Sequence, residues 1–203
     1  MKLNLKDIQK YLFPLKRLFT KYRPIRSVDQ VKNFIQEQSA QVSQMTLYGY
    51  LKTRMGAKHV IMFEDKDFLN SINIAKWHIY AASLIDCTFF CFSFLYKEKK
   101  IEKIEDANKV FFEILNSEKA NGMILDAYEG ATKEFNSRYP NIDWSSYCNS
   151  KPFEYCCNEL YNWSPIADEL KKLDKKIVIN SMFLKWNNVQ NEFKRLTNKF
   201  SNI

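Results

Sequence analysis

Ile79-Tyr80-Ala81-Ala82-Ser83-Leu84-Ile85-Asp86-Cys87-Thr88-Phe89-Phe90-Cys91-Phe92-Ser93-Phe94-Leu95-Tyr96 is apolar on nearly every side of a helix and holds one carboxylate, Asp86, near its middle. The run belongs to a longer stretch, residues 67–97, that contains neither Gly nor Pro. A helix that is apolar all round must be surrounded, by other helices or by lipid. Trp77 and Tyr80 at one end, and Tyr96, Lys97, Lys99 and Lys100 at the other, also fit the flanks of a membrane span. Asp86 at mid-span would cost ~3 kcal/mol in lipid, and Ser83, Thr88 and Ser93 dilute the run. The reading is therefore a buried bundle helix. The fold class that follows is all-α: a single-domain bundle of about six to seven helices around a central apolar helix at 67–97.

Composition agrees. Apolar residues make up 46% and aromatics 15% of 203 residues, enough for one sizeable core and too much for a disordered chain. Four Gly and five Pro suit long helices better than a turn-rich sandwich or barrel. Five cysteines (Cys87, Cys91, Cys148, Cys156, Cys157) form no regular framework, which points to a reducing compartment. No secretory signal is legible near the N-terminus. The expected location is cytoplasmic, peripheral to the inner membrane, or the mitochondrial matrix for a eukaryotic source.

Charge divides the chain into a basic arm, 1–26, and a bundle domain, 27–203. The arm holds eight basic residues (Lys2, Lys6, Lys10, Lys16, Arg17, Lys21, Arg23, Arg26) against Asp7 alone, a net +7 out of +8 for the whole chain. Leu5, Ile8, Leu12, Leu15 and Phe19 recur at spacings of three or four between the lysines, the pattern of a basic amphipathic helix interrupted near Pro14. Such a helix docks on its own domain, on an acidic partner or on an anionic membrane. Lys6, Lys10, Lys16, Arg17, Lys21, Arg23 and Arg26 are the candidate membrane or partner contacts. Nucleic-acid binding through the same charges is a further reading, without a recognisable nucleic-acid-binding motif.

Past Pro24, Ser27 and Gln30 form a capping box for a helix whose apolar stripe runs Val31, Phe34, Ile35, Val42, Met45, Tyr48, Leu51, Met55 and stops at Gly56. Gly49 inside it suggests a close helix crossing. Tyr48, Tyr50, Lys52, Arg54 and Asp86 form the candidate ligand-binding set, an anion-capable group beside a buried carboxylate of raised pKa. The bland counterpart is structural pairing, Arg54 with Asp86 or Glu64, and Asp86 with Arg54, Lys52 or His78.

The run Thr46-Leu47-Tyr48-Gly49-Tyr50-Leu51-Lys52-Thr53-Arg54-Met55-Gly56 resembles a segment of an uncharacterised family of small all-helical alphaproteobacterial proteins. So do Phe63-Glu64-Asp65, Ser71-Ile72-Asn73-Ile74-Ala75-Lys76-Trp77 and Trp163-Ser164-Pro165-Ile166-Ala167 with the residues that follow. The resemblance implies a bacterial or bacterial-derived origin. Members are sometimes labelled esterases, but this chain has no G-x-S-x-G nucleophile elbow, and the likeness carries over no catalytic residue.

Farther on, helices are predicted at roughly 105–117 and 119–137 from their apolar periods. Residues 139–163 read as an irregular loop rich in aromatics, a setting suited to binding. Ser164-Pro165 reads as the start of a short helix. A last helix around 174–200 carries Ile179, Met182, Trp186, Val189, Phe193 and Leu196 as a heptad seam, for a neighbouring helix in the chain or the same helix of a second copy. Cys87 and Cys91 share a helix face without completing a zinc set, so no metal and no cofactor is expected. With two histidines, no phosphate loop and no triad, the functional expectation is a non-catalytic interaction protein. It would act as an assembly factor, adaptor or accessory subunit at a membrane surface. The alternative is an enzyme or small-ligand binder built on Asp86 and Arg54.

Overall fold

The computed structural model describes residues 24–56 and 64–200. Six α-helices and three short 3-10 turns make up an all-α bundle, with no strand among the described residues. The helices are α1 (Val28–Met55), α2 (Lys66–Lys97), α3 (Glu105–Ala120), α4 (Leu125–Arg138), α5 (Glu154–Trp163) and α6 (Asp168–Leu196).

Helix α2 is the axis that its composition demands. Every side chain from Ile79 to Leu95 is buried, and α1, α3, α4, α5 and the 3-10 turn Tyr147–Asn149 pack around it. It is long and apolar enough to cross a membrane, yet 89% of its apolar window lies inside the fold. Ser83 and Thr88 are satisfied without water: Ser43 donates to Ser83 Oγ at 2.8 Å, and Thr88 donates to the Leu84 carbonyl one turn back. These bonds let hydroxyls sit in a dry core at little cost.

The ends of α1 follow their sequence signals. Ser27 Oγ accepts from the Gln30 N–H, and Gln30 Oε1 reaches back to the Arg26 N–H at 2.7 Å. Gly56 closes the helix at φ +54°, a conformation that needs no Cβ. Two details of the stripe are corrected. Met45 is 50% exposed, and Gly49 is exposed with open space where a Cβ would stand, so it marks no helix crossing.

Three boundaries also move. The helix expected at 119–137 begins at Leu125, because Gly122 takes φ +95° in the turn that ends α3. The expected loop at 139–163 is irregular only in its first half. Its second half is α5, whose apolar stripe is the inconspicuous set Cys156, Cys157 and Leu160. Ser164 does not cap a new helix: its hydroxyl donates to the Leu160 carbonyl and closes α5, and α6 then runs unbroken from Asp168.

The heptad seam of α6 is filled by this chain's own helices. Trp186 stacks on Phe153 with centroids 4.2 Å apart, and Phe193 meets Phe34, Phe90 and Phe94. Met182, Val189 and Leu196 are buried beside them, while Ile179 is half-buried and Val178 takes the deeper place. Ile25 donates its N–H to the Leu196 carbonyl at 3.0 Å, tying the start of the described chain to the end of α6. Lys6, Lys10, Lys16, Arg17, Lys21 and Arg23 lie outside the described residues, and Arg26 is exposed.

Candidate functional site

Asp86 is fully buried at the middle of α2 and joins three other elements. Arg138, the last residue of α4, donates from Nη2 to Asp86 Oδ1 at 2.9 Å and to the Tyr147 hydroxyl at 3.0 Å. Tyr147 in turn donates to the Pro152 carbonyl at 2.9 Å. The backbone N–H of Cys156 donates to Asp86 Oδ2 at 2.8 Å.

That last bond explains why a carboxylate is kept in an apolar helix. Cys156 lies in the first turn of α5, where N–H groups have no intrahelical partner, and Phe153 at the cap position supplies no side-chain oxygen. Asp86 serves as the cap from another helix and sets its charge at the positive end of α5. Burial pushes its pKa up to about 6, against the lowering effects of Arg138 and the Cys156 N–H. Burial also raises the Tyr147 phenol, with the Asp86 charge adding to it.

Arg138 is sandwiched by aromatics, its guanidinium carbon 4.9 Å from the Tyr155 ring centre and 5.2 Å from that of Phe89. Its outer edge and Tyr147 form one wall of an open depression of about 520 Å³, completed by Ser137, Asn141, Ile142, Asp143, Ser146 and Ser150. Asp143 there accepts from the Ser145 hydroxyl, the Ser146 hydroxyl and the Ser145 N–H, bonds that lower its pKa. Asp86 lies behind Arg138 with both oxygens engaged. The arrangement works as a charged clamp on α2, α4 and α5.

The sequence-derived ligand set does not assemble. Arg54 pairs through Nε with Asp174 of α6, donates from Nη2 to the Leu170 carbonyl at 3.1 Å, and shares Asp174 with the Tyr50 hydroxyl, also at 3.1 Å. This cluster ties the end of α1 to α6 and has no residue in common with the Asp86 cluster. Lys52 is exposed, and Tyr48 is partly buried, its phenol pKa raised by burial. His78, another suggested partner of Asp86, instead stacks on Trp163 at 3.5 Å and brings Nε2 to 3.1 Å from Asp126.

Sequence reasoning missed Arg138, Tyr147 and Asp174. One signal was available for the first: only Arg54, Arg138 and Arg195 follow residue 26, so a buried carboxylate had three arginines to choose from. It also missed Glu118, which is buried on α3 and accepts from Tyr80 at 3.0 Å and from Gln36. Nearby Lys76 has its pKa lowered by burial to about 8. The five cysteines are buried thiols, and no group of three or more His, Cys, Asp or Glu side chains is placed to hold a metal among the described residues. No protein family, curated protein or solved structure matches this chain.

Proposed function

We propose that this chain is a non-catalytic helical interaction protein, an assembly factor, adaptor or accessory subunit of a larger complex, held at an anionic membrane surface by its basic stretch 1–26. The observation that carries the reading is how the chain's charges are spent. Asp86 and Arg138 clamp three helices, and Arg54 with Asp174 ties two more, so the groups best suited to chemistry serve as joints. The net positive charge is concentrated in one short segment, where +7 over 26 residues suits a surface of phosphate headgroups.

Co-sedimentation of the full chain with vesicles of mixed phosphatidylcholine and phosphatidylglycerol tests the membrane part. Binding is expected to fall with added salt, and to fall in a Lys6→Gln/Lys10→Gln/Lys16→Gln/Arg17→Gln variant. Equal binding by both proteins, or none by either, refutes it.

A further inference from the structure

Helices α4 and α5 both pack on α2 and hardly touch each other. Two joints on α2 connect them. The Asp86 joint meets the end of α4 through Arg138 and the start of α5 through Cys156. Two turns earlier on α2, His78 meets the opposite ends, the start of α4 through Asp126 and the end of α5 through Trp163.

The second joint is built around a ring that titrates near neutrality. The His78 imidazole lies flat on the Trp163 indole, with centroids 3.5 Å apart and planes 3° from parallel, and its Nε2 stands 3.1 Å from Asp126 Oδ2. Trp163 donates from Nε1 to Glu159 Oε2 at 2.8 Å, which fixes the indole under the imidazole. The charges that face His78 are Asp126 from α4 and Glu159 from α5. Both are poor partners for an imidazolium. The Asp126 side chain is 82% exposed, so water screens it, and Glu159 already accepts from Trp163 and Asn162.

The His78 side chain is only 11% exposed. A neutral imidazole sits in such a place at little cost, whereas an imidazolium there gives up its hydration. Burial therefore outweighs the two acids and lowers the His78 pKa from its ordinary 6.5. A histidine shifted this way stabilises the fold fully above pH 6.5, and that contribution is lost as pH falls through the folded value. The Asp86 joint has the opposite sign, because its carboxyl is raised by burial and favours the fold when protonated. Acid thus loosens one end of the α4 and α5 pair and leaves the other closed.

We infer that His78 is a proton-operated latch: a proton on its ring releases Asp126 and Trp163 and opens the corner where α4 begins and α5 ends. The latch goes beyond the interaction reading above and does not depend on it.

Amide hydrogen exchange of the full chain, resolved by NMR at about pH 7.5 and about pH 5 and corrected for intrinsic rates, tests it. The amides of 128–131 and 160–164 are expected to open more often in acid, by up to about tenfold per pH unit, the limit for one proton. Those of 134–138 and 156–158, at the Asp86 joint, are expected to hold. A uniform rise along the whole chain, or no rise at the His78 corner, overturns the latch. His78→Phe keeps an aromatic ring on Trp163 and takes up no proton, so the acid response of the corner is expected to vanish; its persistence overturns the inference. Titration of the His78 ring signal, told apart from that of His59 by its loss in the same variant, is expected to give a midpoint below 6.5. A midpoint at or above 6.5 would mean that Trp163 and the two acids hold the charged ring, and overturns it. Asp126→Asn changes an exposed side chain and removes an acid that favours the imidazolium, so it is expected to move that midpoint lower still. An unmoved or higher midpoint overturns the assignment.

Discussion

Arg138→Met removes a guanidinium and keeps most of its aliphatic stem, and its cost can be worked from the surroundings of Asp86. Stranding a buried charge costs about 3–5 kcal/mol when the charge has no escape. Asp86 has one, because its pKa already stands at about 6. Without Arg138 the carboxyl takes up a proton at pH 7, so the electrostatic loss is capped near 1 kcal/mol, about one unit of pKa. Loss of the guanidinium's contacts with Phe89 and Tyr155 adds roughly 1 kcal/mol. The expected total is about 2 kcal/mol at pH 7.

Placed on an Asp86→Asn background, the same substitution loses only the aromatic part, roughly 1 kcal/mol. The cycle therefore shows a coupling of about 1 kcal/mol at pH 7 that fades by about pH 5, where Asp86 is protonated in the wild type too. Urea denaturation followed by circular dichroism, with one shared m-value, measures all four proteins. A coupling equal at both pH values refutes the reasoning. So does an Arg138→Met loss above about 4 kcal/mol, which would mean that Asp86 stays charged without its partner.

Three more outcomes are expected. The folded Asp86 carboxyl holds its proton more tightly than the unfolded one at 3.8, so its stabilising contribution is complete below 3.8 and is lost as pH rises to about 6. Asp86→Asn should therefore gain on the wild type by about 3 kcal/mol between pH 3.8 and pH 7 in urea titrations, and a pH-independent difference would contradict this. Trp186→Ala should cost about 3–5 kcal/mol, because the ring is fully buried against Phe153. Trp186→Phe should cost about 1–2 kcal/mol, since the indole N–H has no acceptor among the described residues and only volume is lost. Finally, all five thiols are buried, and burial holds Cys91 and Cys156 well above the ordinary thiol range. Ellman's reagent should leave them unmodified in the native protein and react with them in urea; rapid native labelling would show that the core opens.

Read alone, residues 79–96 settle the architecture, because eighteen nearly uninterrupted apolar positions admit only a sheathed helix or a membrane span, and an aspartate at the centre weighs against lipid. Local chemistry likewise places the ends of α1, since a Ser27 cap and a Gly56 stop act within a few residues of themselves. Helix α5 stayed hidden because its stripe is made of two cysteines and a leucine, and because its cap, Asp86, lies seventy residues away. The partners of Asp86 and Arg54 were out of reach for the same reason. Periodicity reports which side of a helix is apolar, but which arginine meets which carboxylate depends on how the helices cross, and one sequence does not encode that locally. The outer row of α6 lies between these cases. Leu170, Leu173, Ile177 and Leu184 are visible as aliphatic residues in the chain, but only packing decides that Val178 and Met182 turn inward and leave the other row facing out, because a helix with two apolar stripes can bury just one of them against a single core.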